Sequence, residues 1–263
     1  MRRHLIIGRL GPDDRTRVPR ADDETVTRLE LVSGERALGH GIGRAIADLG
    51  RIGLFPNEVG VDLLVLAAHV HAADTRIARG SESQDGWTRE IRLAVPVASP
   101  PLWMAAAPVF TRMLNFLTGD RWTIGFRARP RRFARLAPVR RPGLLPSPFD
   151  DLALFSGGLD SLIGAIDALE ANRTPLLISH AGEGATSDAQ TTLFDALKTQ
   201  YRGQNFERLR LWMAFPRWSG RWLGRREHHA RAFLPIFRAG RLRRNRTRSP
   251  FHASVPGERS DRD

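Results

Sequence analysis

Six residues, Ser156-Gly157-Gly158-Leu159-Asp160-Ser161, constrain this chain more than any other part of its 263-residue sequence. They follow a short apolar run, residues 152–155, of the kind that forms a strand. From Ser161 onward the apolar spacing becomes helical, at Leu162, Ile163, Ala165, Ile166 and Leu169. A strand therefore runs through a glycine turn into a helix N-terminus. That arrangement suits phosphate, because unpaired N–H groups at the helix start point outward and the helix dipole favours an anion there. Two glycines let the backbone approach phosphate oxygens with no Cβ in the way. Ser156 and Ser161 add hydroxyl donors. Asp160 makes sense beside a polyphosphate as a Mg²⁺ ligand, bridged to the nucleotide by the metal. An ordinary turn with Ser161 as N-cap explains part of the pattern. It leaves the second serine and the aspartate unexplained. The GxxxxGK[ST] loop of other nucleotide-binding proteins is absent.

The surrounding residues extend the pattern. Residues 175–179 predict a second buried strand, 188–200 a helix and 209–215 a third strand. Strands alternating with helices imply parallel pairing and right-handed crossovers. The segment 180–190 then lies at the carboxyl end of the sheet, where a nucleotide sits in such folds. His180, Glu183, Ser187 and Gln190 are candidate purine or ribose contacts there, and ordinary loop polarity explains them equally well.

Residues 1–130 read as a mixed α/β region. Helical spacing covers 42–49, 59–77 and 101–117, and strand alternation covers 90–97 and 122–127. His69, His71 and Asp74 invite a metal reading, but on a helix they do not share one face. They are expected as surface or core-edge residues. Trp87, Trp103 and Trp122 are expected as core anchors rather than base-stacking platforms.

Residues 131–149 hold five Arg and four Pro without periodicity and read as an irregular, solvated basic linker, with a nucleic-acid arm as the sharper alternative. Residues 150–216 form the α/β unit. From 217 to 263 there are thirteen Arg, no Lys and four acidic residues, a net of +9 within a whole-chain charge of +13. So many arginines cannot be buried without matched anions, and the tail is not expected to be an integral part of the folded unit. Two readings compete for it: a disordered basic arm that binds phosphate backbones, or a segment translated out of frame from a GC-rich gene.

No apolar stretch approaches the length of a membrane span. The N-terminal run Leu5-Ile6-Ile7 is too short for a signal peptide. The expected location is the cytoplasm.

The SGGxDS pattern resembles the signature of the PP-loop ATP pyrophosphatases. The wider chain, over roughly residues 1–216, is similar to their QueC-like branch, the 7-cyano-7-deazaguanine synthase relatives, and in particular to the QueC-like proteins of Qat anti-phage systems. The segments that carry this are ADTRIAR (73–79), DGWTREIRLAVPV (85–97), LNFLTGDRWTIGF (114–126), LFSGGLDSLIGAIDALE (154–170) and PLLISHAGEGATSDAQ (175–190). The resemblance implies an α/β fold: a PP-loop (HUP-like) parallel sheet with helices, incomplete at about three strands, preceded by the mixed α/β region. It implies an ATP- and Mg²⁺-dependent ligase-type enzyme that adenylates an acceptor and releases pyrophosphate. Carried over residue by residue, Ser156, Gly157, Gly158, Asp160 and Ser161 hold the leaving pyrophosphate. Asp160 and Ser161 are then the catalytic residues, Asp160 the Mg²⁺ ligand, and His180 and Gln190 further nucleotide contacts. Implied partners are ATP, a 7-deazapurine acid or a protein acceptor, and other Qat-type defence proteins.

The chain contains no cysteine. Thiol-dependent tRNA thiolation is therefore disfavoured. The four-cysteine zinc site of authentic 7-cyano-7-deazaguanine synthases is missing too, so that family is matched only in its nucleotide-binding half. A basic-tail nucleic-acid-binding protein and a catalytically incomplete fragment are the alternatives.

Overall fold

The structure is a computed structural model that describes residues 3–33, 37–83, 85–139, 148–181 and 185–215. The Arg-rich tail, the middle of the linker and Glu183 lie outside the described residues.

Four parallel strands form the first sheet: β1 (Arg3–Arg9), β2 (Glu24–Glu30), β5 (Glu90–Val97) and β6 (Arg121–Ala128), in the order β2-β1-β5-β6. Two short antiparallel strands, β3 (Val32–Ser33) and β4 (Ala37–Leu38), lead into α1 (Ile42–Arg51). Then come α2 (Glu58–Arg76), the single turn α3 (Arg79–Glu82) and, between β5 and β6, α4 (Pro100–Thr118). Among the described residues three parallel strands form the second sheet in the order β7-β8-β9: β7 (Asp151–Leu154), β8 (Pro175–His180) and β9 (Glu207–Leu211). Its helices are α5 (Leu159–Glu170) and α6 (Ala185–Gln200).

The α/β class and the parallel second sheet follow the sequence reading. β1 is a central strand that the reading did not contain. Its apolar core is only Leu5-Ile6-Ile7, yet all three are buried because β1 pairs on both sides. β2, with only Val26 and Leu29 apolar among Thr, Arg and Glu, was likewise not expected as a strand. The third strand ends earlier than expected, at Leu211. Beyond it the chain leaves β8, which itself ends at His180, and Met213 and Phe215 turn into the core.

α2 explains how the two sheets come together. Asn57 caps it by accepting from the Gly60 amide at 2.9 Å. From Val61 to Ala73 nearly every residue is buried, as expected for a helix packed on more than one side. One continuous core joins α2 to Ile6, Leu93, Val95 and Ile124 of the first sheet and to Leu176, Ile178, Leu209 and Leu211 of the second. The opposite face of the second sheet is covered by α5 and α6 through Phe155, Leu177, Ala165, Leu169 and Leu197. A parallel sheet buried on both faces is the stable form of such sheets.

His69 faces this core and is fully buried, correcting its expected place at the core edge. Its Nδ1 donates to Val65 O at 2.7 Å, and burial pushes its pKa down to about 4. A Cβ on Gly8 would collide with its ring, so β1 carries glycine there. Trp103 and Trp122 are buried, but Trp87 is 66% exposed and is no core anchor. Its indole lies instead against the Arg79 guanidinium, 5.6 Å from the ring centroid. The linker reading is also corrected in part. Among its described residues the backbone is irregular apart from a 3₁₀ turn at Arg131–Phe133, but Phe133 and Phe149 are buried and Glu58 accepts from the Leu136 and Ala137 amides at 3.0 Å each.

Candidate nucleotide site

β7 ends against β8, with the Phe155 amide donating to Ile178 O at 2.7 Å. The chain then turns sharply. Gly157 takes φ +84, and Gly158 is the N-cap of α5 without any side-chain cap. The loop is tied into a small ring. The Ser156 amide donates to Ser161 Oγ at 3.2 Å, the Ser156 hydroxyl to the same Oγ at 3.1 Å, and the Ser161 hydroxyl to Gly158 O at 2.8 Å. Ser156, Gly158 and Asp160 are exposed, with Asp160 in the first turn of α5. The five expected loop residues therefore stand together on an open helix N-terminus at the carboxyl end of a parallel strand.

Gln190 lies behind the loop rather than on its open side. It is buried, and its Nε2 donates to Ser156 O at 3.3 Å and to His180 O at 3.1 Å. The amide thus ties the turn after β7 to the end of β8. Its Oε1 is buried without a hydrogen-bond partner. A Cβ on Gly157 would come within 3.1 Å of Gln190 N and Cγ, so glycine is required by conformation and by space. Under α6, Arg208 Nη1 donates to Gln190 O and Arg210 Nη2 to Ser187 Oγ, both at 2.6 Å. Ser187 is therefore engaged with a neighbouring arginine. Burial and the nearby Arg210 charge push the Arg208 pKa down.

His180, at the end of β8, meets a residue that the sequence reading placed elsewhere. His71 of α2 lies 5.5 Å from it, centroid to centroid, and 5.6 Å from Phe215, which stacks on His40 at 4.7 Å. Burial, then the neighbouring His180 and Arg76, push the His71 pKa down to about 4. The N-terminal region thus reaches the carboxyl end of the second sheet. His71 and Asp74 diverge from His69, as helical geometry requires, and no group of three His, Cys, Asp or Glu side chains able to hold a metal occurs among the described residues.

The two ends of the first sheet are closed by buried charge. At its amino end Arg89 donates from Nη2 to Asp120 Oδ2 and to Asp74 Oδ1, both at 2.7 Å, while Arg79 Nη1 reaches Asp120 Oδ1 at 2.8 Å. At its carboxyl end Asp62 accepts from the Ala98 amide, from Trp103 Nε1 at 2.9 Å and from Arg129. Both networks are largely buried, whereas the loop on the second sheet is exposed. Sequence reasoning missed them, because residues 31 and 46 positions apart carry no periodic signal.

No known family profile matches the chain, and no curated protein does. Among solved structures, a ketoreductase domain from the bacillaene assembly line is similar over 80% of this chain and 50% of that one, at 10% identity and a TM-score of 0.21. The chain thus spans about half the length of that domain, and a likeness this slight carries no argument about fold or activity. No helix is long and apolar enough to cross a membrane among the described residues.

Proposed function

We propose that the chain binds ATP with Mg²⁺ at Ser156–Ser161 and belongs with the PP-loop ATP pyrophosphatases of the QueC-like branch, acting as an adenylating ligase-type enzyme in an anti-phage defence system. The observation that carries the reading is the loop itself: two glycines, two hydroxyls 3.1 Å apart and an exposed carboxylate on an open helix N-terminus after a parallel strand. The residues fit the group. The first-turn amides of α5 and the hydroxyls of Ser156 and Ser161 would take phosphate oxygens, the hydroxyls by turning from each other toward the ligand. Asp160 would hold Mg²⁺ with a single carboxylate, consistent with a metal that keeps most of its waters and takes phosphate oxygens.

When bound, ATP·Mg²⁺ supplies an activated adenylyl group and a pyrophosphate leaving group. The chain's part is electrostatic. Negative charge would grow on the departing pyrophosphate, and the first-turn amides of α5, with the two hydroxyls once turned toward the ligand, would stabilise it. Gln190 keeps Ser156 in register with His180, and so keeps the donors aimed. The acceptor is a carboxylate or amide, in the leading reading that of a 7-deazapurine acid. Mg²⁺-dependent pyrophosphate release stimulated by that acid tests the reading. ATP turnover indifferent to every deazapurine offered removes this substrate class.

One observation favours a second reading, that of a catalytically incomplete unit. β7, which carries the loop, is an edge strand of its sheet among the described residues, so one wall of a crevice at the loop is not provided by them. ATP binding without pyrophosphate release under all acceptors supports this second reading.

A further inference from the structure

α4 packs on the first sheet with Trp103, Phe110 and Leu114, yet its outer face is apolar as well. Leu102, Val109 and Phe116, spaced by seven, form a stripe that is 52%, 58% and 88% exposed. Ala105 lies along it, with the half-buried Ala106 and Met113, which also pack against the core, on its shoulder. The helix contains no acidic residue and one basic residue, Arg112. At its C-terminal end, where Gly119 takes φ +71, the indole of Trp87 continues the patch, 3.2 Å from where a Gly119 Cβ would stand. Solvent-facing helices ordinarily carry charged residues on this side.

We propose that this face pairs with the same face of a second copy, the two α4 helices running antiparallel across a two-fold axis at Val109. The pattern of the stripe is its own complement about that residue. Leu102 then faces the partner's Phe116, the small Ala105 faces Met113, and Ala106 faces the aliphatic stem of Arg112, whose guanidinium reaches the rim. The two Arg112 side chains are offset by about 9 Å along the axis, at 1.5 Å per residue, which limits their repulsion. The exposed parts of Leu102, Val109, Phe116, Leu117 and Trp87 amount to about 600 Å², taking about 150–250 Å² for a whole aromatic residue. Doubled across the axis this reaches the lower range of stable interfaces, about 1,200 Å². A patch of that size lies at the upper end of what typical monomers leave to solvent, about 300–600 Å².

The absence of native cysteine makes a direct test available. Val109→Cys lies on the proposed axis and should form an intermolecular disulfide under mild oxidation. Leu102→Cys should not, because two copies of residue 102 would stand about 21 Å apart along the helices, far beyond disulfide reach. In parallel, sedimentation equilibrium of the full chain should give a concentration-dependent dimer. Phe116→Glu, at a position too exposed to affect folding, should raise its dissociation constant at least tenfold. A monomer at every concentration overturns the proposal. So does equal cross-linking at 102, 109 and the exposed Thr123 on the first sheet, or a dimer that Phe116→Glu leaves unchanged, since another segment or partner then covers the stripe.

Discussion

Gly157 and Gln190 fit against each other so closely that a single added methyl group at Gly157 would come within 3.1 Å of the Gln190 backbone nitrogen. The same Gly157 has φ +84, a region that side chains with a Cβ rarely adopt. Gly157→Val should therefore displace the loop from Gln190 and abolish nucleotide binding. Thermal denaturation should show a small loss of stability, about 1–3 kcal/mol from the strained turn, with the second sheet retained. Unchanged ATP affinity in this variant removes the loop from the site.

The buried cluster at the amino end of the first sheet predicts a large structural effect. Removing Arg89 leaves Asp74 and Asp120 buried without their main partner, and Arg89→Ala should cost about 3–5 kcal/mol in urea denaturation. Burial pushes the Asp120 carboxyl up, but hydrogen bonds and charge from Arg89, with Arg79, outweigh it and hold the carboxyl below its usual range. Its contribution is therefore complete above the unfolded carboxylate value and is lost as pH falls through the lowered folded value. A parent whose stability at pH 3 equals that at pH 6 contradicts this.

A second acid dependence comes from histidine. His69 and His71 are held neutral, with pKa values of about 4, and unfolding releases both to the ordinary value near 6.5. The unfolded chain then binds protons that the native chain refuses. Stability is highest above about pH 6.5 and declines between there and pH 4, by about 3 kcal/mol for the fully buried His69 alone. His69→Leu should flatten that part of the profile. A curve as steep in the variant as in the parent places the dependence elsewhere.

Gly41 marks where the first region meets the second. It takes φ +89, and a Cβ there would land on the Trp212 carbonyl oxygen. Beside it, the His40 ring nitrogens lie 2.7 Å from Glu30 O and 3.0 Å from Ala214 O. Gly41→Ala should therefore separate the 212–215 segment from α1 and destabilise the whole chain by about 2 kcal/mol or more, combining φ strain with overpacking. Loss of protection in hydrogen exchange should appear first in β9, next to that segment.

Much of the second sheet was legible because local signals coincide there. Apolar runs mark β7 and β8, glycines mark the turn, and helical spacing marks α5. The first sheet was harder to read. β1 offers only three apolar residues, and β2 only two, Val26 and Leu29, among Thr, Arg and Glu, so pairing rather than propensity makes them strands. The glycine turn that joins β7 to α5 in the candidate site was readable from its residues. The supporting role of Gln190 was not, since a buried amide bridging two carbonyls looks like any polar helix residue. Nor was the approach of His71 to His180, which depends on α2 packing between two sheets. Trp87 misled for a related reason: its size suggests burial, but it stands beyond the end of α4, outside the core.

Whether Ser156–Ser161 binds ATP through Mg²⁺ is decided by isothermal titration of ATP into the full chain, with and without Mg²⁺, for the parent and for Asp160→Asn. Asp160 is exposed and outside both cores, so the substitution leaves the fold intact. The parent should bind saturably and more weakly without Mg²⁺, and Asp160→Asn should bind at least tenfold more weakly in Mg²⁺, with the two proteins alike when Mg²⁺ is absent. Equal affinity of parent and variant in Mg²⁺, or no binding by a folded parent, would contradict binding through Mg²⁺ at this loop.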